Sequence, residues 1–176
     1  MINKLVFDYV ETDFVTYEIG FNDYEDSEGT KQKGSTLEIK LYAANKVHEL
    51  AFEDTDTSEL EQLFEFYMQL AAGKEEVYAE LFTNEENSSN ILIAQNYTTD
   101  RPMLYLCLLD SFNRDIKPLK VLTYKINFIK WFVEEFNTFL NTRYNQQQWA
   151  NNFKTSDLRI DLKPQLDYFE KWMKEN

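Results

Sequence analysis

The stretch from Asn127 to Gln147, NFIKWFVEEFNTFLNTRYNQQ, constrains this chain more than any other. Ile129, Phe132, Val133, Phe136, Leu140 and Tyr144 recur at steps of three and four, which predicts one continuous apolar stripe along an α-helix. Phe128, Trp131 and Phe139 widen the stripe beyond the ~100° of an ordinary surface helix. A helix this aromatic requires a broad apolar surface to lie on, and the strand-like runs before it can supply one.

Those runs follow a period of two. Residues 4–11 and 14–21 read as a strand pair turning at Thr12 and Asp13, with Val15, Tyr17, Ile19 and Phe21 on one face of the second strand. Residues 22–35, NDYEDSEGTKQKGS, read as a long polar loop. Its Gly29 and Gly34 have the spacing of a phosphate loop, but Ser35 stands where the lysine is needed, and the carboxylates before it would repel phosphate. A second pair is expected at 36–43 and 46–52, turning at Ala44 and Asn45. A helix follows with Ser58 to Glu61 at capping-box spacing, Thr57 or Asp56 as an alternative cap, and Gly73 as its stop. Leu60, Leu63, Phe64, Tyr67 and Ala71 form its apolar stripe, with Glu61, Glu65 and Gln69 on the other side.

Past Gly73 the alternation returns. Val77, Ala79 and Leu81 alternate with Glu76, Tyr78 and Glu80, and further strands are expected at 91–97, 103–110 and 119–125. Met103–Leu109 is apolar on both faces, the mark of a central strand, and Cys107 within it reads as a small hydrophobe. Beyond the aromatic helix, which Trp149 and Phe153 would close, Leu158, Ile160 and Leu162 alternate as a short strand. Pro164 then suits the first turn of a final helix bearing Leu166, Phe169 and Met173. The expected fold is α+β: about eight antiparallel strands, two main helices packed on them and a C-terminal helix. It forms one domain over 1–176, with 148–176 as an extension docked on it.

The chemistry-bearing residues are sparse. A single histidine, His48, lies in an expected strand with no nucleophile or metal-ligand companion near it in sequence, and a single cysteine precludes an internal disulfide. Neither zinc spacing nor a calcium-loop register is present, so no catalytic residue, metal or cofactor is assigned. No run approaches the ~18 apolar residues of a membrane span, and the N-terminus lacks a secretory pattern, which together point to the cytoplasm.

Charge is the informative quantity. The chain carries a net −13, and residues 1–86 hold 21 acidic against 6 basic side chains, whereas 87–176 hold 10 against 12. Such asymmetry disfavours nucleic acid and anionic lipid and favours a basic protein partner, such as a nuclease domain. The candidate contact residues are Asp23, Tyr24, Glu25, Asp26 and Glu28 in the polar stretch, joined by Glu53, Asp54 and Asp56 before the first helix. Tyr24 is the aromatic anchor among the charges.

The succession DTSELEQLFEFYMQLAAG, several strands, then INFIKWFVEEFNTFL resembles the small acidic immunity proteins of bacterial toxin–immunity systems. The resemblance is architectural and spans residues 36–142. It implies a non-catalytic protein that binds and neutralises a cognate toxin domain. Two other readings stay open: a phage or mobile-element inhibitor of a basic host enzyme, and a structural subunit docking through its aromatic tail.

Overall fold

The fold is taken from a computed structural model of the chain, which describes residues 16–25, 28–29, 31–43, 46–53, 58–83, 88–97, 103–110, 119–152 and 157–176. The expected strand at 4–11 and the turns at Thr12–Asp13 and Ala44–Asn45 lie outside these residues. Seven strands and five helices are described: β1 (Thr16–Glu25), β2 (Lys31–Ala43), β3 (Lys46–Glu53), α1 (Ser58–Ala71), β4 (Glu76–Thr83), β5 (Ser88–Tyr97), β6 (Met103–Asp110), β7 (Leu119–Tyr124), α2 (Lys125–Thr142), α3 (Gln146–Asn152), α4 (Leu158–Asp161) and α5 (Lys163–Glu175). The class is α+β with antiparallel pairing throughout, but the strands form two sheets, β1-β2-β3 and β4-β5-β6-β7. The expected count of eight strands is not supported.

Several local outcomes follow from identifiable residues. Gly73 ends α1 at φ 92°, where its N–H donates to the Leu70 carbonyl at 3.1 Å and the Lys74 N–H donates to the Gln69 carbonyl at 3.1 Å. That pair of bonds is a Schellman closure, which a glycine accommodates without strain. β6 is central in its sheet, flanked by β5 and β7, and Leu104, Leu106 and Cys107 are buried.

Two expectations are corrected. Residues 22–35 are not one long loop, because β1 continues to Glu25 and β2 begins at Lys31. The stretch NDYED…KQKGS lacks an apolar alternation, so only the pairing of the two strands reveals it as a hairpin. Residues 158–162 form helix α4 and the step into α5, not a strand. Leu158 and Leu162 are both fully buried while Ile160 is 65% exposed, so the apolar pair obeys helical i, i+4 spacing. Asp157 caps α4, accepting the Arg159 N–H at 3.0 Å.

The aromatic helix is also shorter than its stripe. It stops at Thr142, and Tyr144 and Trp149 belong to the turn and α3 that follow. Asn141, Thr142 and Asn145 are poor helix formers, and the Arg159 guanidinium caps the Leu140 carbonyl where the helix would otherwise continue. Tyr144 then uses its hydroxyl elsewhere, donating to Asp157 Oδ1 at 2.9 Å and accepting the Leu158 N–H at 2.9 Å. Burial, with the Asp157 carboxylate beside it, pushes the Tyr144 phenol well above its usual range.

One core joins both sheets and all five helices. Ile19 comes from β1; Leu63, Phe64 and Tyr67 from α1; Val77 from β4; Leu92 and Leu106 from the middle of the second sheet. Phe128, Phe132, Phe136 and Phe139 of α2 join them, with Trp149, Leu158, Leu162 and Phe169 from the tail. Phe64 meets three other rings, Phe136 at 4.8 Å, Phe132 at 5.3 Å and Phe169 at 6.1 Å, while Tyr67 stacks on Phe132 at 4.0 Å. The C-terminal helix is therefore part of the core rather than an appendage.

Candidate partner-binding surface

The hairpin register decides where the sequence-selected carboxylates go. Asn22 lies opposite Thr36, and Thr36 lies opposite Glu53, so one transverse row crosses all three strands of the first sheet. At ~4.8 Å per strand, Glu53 sits roughly 10 Å from Asn22 along that row. Beyond Asn22 the register breaks, with three residues of β2 (33–35) against Asp23 alone on β1, and Tyr24 then faces Gln32 and Glu25 faces Lys31. Glu28 is exposed in the turn beside Gly29, whose φ of 78° makes the reversal possible. Asp23, Tyr24, Glu25, Glu28 and Glu53 are thus brought to one end of the sheet. Asp26, Asp54 and Asp56 lie outside the described residues. Lys31 and Lys33 of β2 share this end, so its negative charge is partly offset along the backbone.

A second acidic surface went unselected in the sequence. Glu61 and Glu65 are exposed on α1, one helical turn apart, and Glu76 and Glu80 are exposed on β4 on either side of Tyr78. Tyr78 is 72% exposed. Between α1 and β4 runs a groove of about 560 Å³, floored by Phe66 and Ala79 and bordered by Glu61, Gln62, Glu65, Gln69, Tyr78, Glu80 and, from α5, Gln165. None of these carboxylates forms an ion pair with another described residue; Glu65 accepts only the Gln69 amide at 2.9 Å, and Glu76 accepts the Gln95 amide. The side-chain oxygen of Gln165 is buried and has no hydrogen-bond partner among the described residues.

Both patterns were visible in the sequence, the alternation of Glu76, Tyr78 and Glu80 and the polar side of the 58–71 helix. What a linear reading lacks is that α1 lies along β4 and sets the two faces side by side.

A different depression opens between α2 and α5. Its volume is about 430 Å³, with Phe64, Val133, Phe136, Phe169 and Met173 at its base. The carboxylates at its rim are neutralised, Asp167 by Lys163 at 2.8 Å and Glu170 by Lys174 at 2.7 Å. It is apolar and electrically balanced, in contrast to the α1–β4 groove.

The conformation of β1 is fixed from α2. The Ile19 N–H donates to Glu135 Oε1 at 2.9 Å, and the Ile19 carbonyl accepts Arg143 Nε at 2.7 Å. Arg143 also pairs with the same Glu135 carboxylate. Ile19 lies opposite Ile39 in the ladder, and its bonds to α2 show that both its backbone groups turn away from β2, on the side where no described strand pairs with β1. The Glu135–Arg143 clamp satisfies them and anchors the acidic sheet to the helical core.

His48 sits opposite Leu41 within the β2–β3 ladder. Among the described residues no group of three His, Cys, Asp or Glu side chains could hold a metal ion, and no helix is long and apolar enough to cross a membrane. Comparison with protein-family models, curated proteins and solved structures returns no match.

Proposed function

We propose that this chain is a non-catalytic binding protein that neutralises a basic protein partner, and that the partner is a bacterial toxin domain for which it serves as the cytoplasmic immunity protein. The observation that carries the reading is the strand register, which gathers Asp23, Glu25 and Glu53 at one end of the first sheet with exposed Glu28 at the hairpin tip. Carboxylates so placed raise the association rate of a cationic surface, and Tyr24 among them is a residue type that anchors interfaces.

An inhibitor of a basic host nucleic-acid enzyme would use the same electrostatics and differs only in its target. The scaffold reading has less support, because the aromatic tail it needs is engaged internally: Phe169 is 1% exposed and Trp149 is fully buried.

The test is kinetic. The basic protein encoded beside this chain is purified, and its association rate with the chain is followed by stopped-flow fluorescence from low to high salt. The rate is expected to fall steeply with ionic strength, and joint reversal of Asp23, Glu25, Glu28 and Glu53 to lysine should slow it roughly tenfold or more at low salt. A salt-independent rate that the reversal leaves unchanged would refute the proposal.

A further inference from the structure

The last turn of α2 is weakly helical by itself. Asn141 and Thr142 have low helix propensity, and a helix leaves its final carbonyls without internal donors. Two of those carbonyls are satisfied from elsewhere. The Phe139 carbonyl accepts the N–H groups of Arg143 at 2.9 Å and Tyr144 at 2.8 Å, and the Leu140 carbonyl accepts the Arg159 guanidinium from α4. The corner 140–144 therefore leans on the tail, and it carries Arg143, whose Nε holds the Ile19 carbonyl of β1.

We propose that the C-terminal tail is a latch for β1: docking of α4 on the last turn of α2 holds Arg143 in place, and lifting the tail releases the grip of Glu135 and Arg143 on Ile19. The latch goes beyond the proposed function and needs no partner.

The tail grips this corner by several bonds at once. Asp157 Oδ1 accepts both the Tyr144 hydroxyl at 2.9 Å and the Arg159 N–H at 3.0 Å, while the Leu158 N–H donates to the Tyr144 oxygen at 2.9 Å. The Arg159 guanidinium lies 5.8 Å from the centre of the Tyr144 ring. Leu158 and Leu162 are fully buried beneath these contacts, so the bonds and the apolar seat form and break together. Tyr144 adjoins Arg143 in sequence, and a displacement of one moves the other. Glu135 lies eight residues earlier, just over two turns up the helix, where the internal bonds are complete. It keeps its place when the corner frays, so the two partners separate and the Ile19 carbonyl loses its charged donor. The strand that carries Asp23 and Glu25 thus depends on whether the tail is docked.

The experiment follows amide hydrogen exchange of the full ¹⁵N-labelled chain, residue by residue. Arg159→Met keeps an apolar stem beside Tyr144 but removes the donor to Leu140, and Tyr144→Phe keeps the ring but removes both hydroxyl bonds. Each should speed exchange of the Ile19 N–H about threefold or more, approaching the roughly tenfold expected of Arg143→Met, which removes the charge-assisted bond itself. Combined with Arg143→Met, neither tail substitution should add anything further at Ile19. Amides of β5 and β6 should keep the parent rates. Ile19 should also keep its parent rate in Lys163→Met, which breaks only an exposed ion pair of the tail.

Parent rates at Ile19 in both Arg159→Met and Tyr144→Phe would overturn the latch. So would an Ile19 rate that rises only in step with β5 and β6, which is global loosening, or an equal response to Lys163→Met.

Discussion

Replacing Arg143 by alanine tests the clamp on β1. The substitution removes the 2.7 Å bond from Arg143 Nε to the Ile19 carbonyl and the pairing with Glu135. Ile19 is fully buried, so its carbonyl loses a charge-assisted partner that water cannot readily replace. Leaving such a group unpaired costs about 1–3 kcal/mol. The ion pair adds little: the side chains are 40% and 19% exposed, and pairs so open to solvent contribute about 1 kcal/mol or less.

The expected loss is therefore about 2–3 kcal/mol by urea denaturation, equivalent to a fall in Tm of roughly 4–12 °C for a chain of this size. Glu135→Gln should cost less, because an amide oxygen still accepts the Ile19 N–H. A double-mutant cycle between positions 135 and 143 should show coupling, since the two side chains pair with each other and both hold the backbone of Ile19. Amide exchange supplies the local readout: the Ile19 N–H, now protected by Glu135, should exchange faster in Glu135→Leu relative to the β4–β7 amides. A change within 0.5 kcal/mol for Arg143→Ala, or an Ile19 amide indifferent to Glu135→Leu, would refute the argument that α2 holds this strand.

Two further outcomes follow from the core and the tail. Phe64→Ala removes a ring that is 1% exposed and touches three others, so a loss of about 3–5 kcal/mol is expected by urea denaturation, with Phe64→Leu costing clearly less. Tyr144→Phe deletes both hydrogen bonds of the hydroxyl and should cost about 1–3 kcal/mol at neutral pH. Because folding raises this phenol above its usual value of 10.0, its contribution is fully present below pH 10.0 and is lost as pH climbs beyond that value toward the folded one. Alkaline melts of Tyr144→Phe should accordingly fall less steeply above pH 10.0 than those of the parent chain.

The elements that the sequence made legible are those whose burial leaves a clean period. The stripe Ile129, Phe132, Val133, Phe136 and Leu140 lies in the core as expected, and so do Leu60, Leu63, Phe64 and Tyr67. On β4, Val77 and Ala79 are buried while Glu76, Tyr78 and Glu80 are exposed. Misreadings arose where two periods coincide or none exists. Leu158, Ile160 and Leu162 fit both i, i+2 and i, i+4, and only the packing of the first and last against the core separates them. The β1–β2 hairpin end has no apolar rhythm, so its strands are dictated by pairing partners distant in sequence. For the candidate surface, the hairpin carboxylates could be selected from charge density alone. The groove residues could not, because α1 and β4 become neighbours only in three dimensions.

β7 passes into α2 without an intervening loop, Tyr124 ending the strand and Lys125 beginning the helix. The same helix grips Ile19 of the other sheet two and a half or more turns further on, through Glu135 and Arg143. It therefore works as a rigid axle, welded to one sheet and hooked to the other, whose angular setting is fixed at its root. One residue inserted between Tyr124 and Lys125 would turn the axle by about 100°, swinging both hooks off Ile19. The azimuth of the acidic sheet is thus dictated by a junction more than a hundred residues away along the chain.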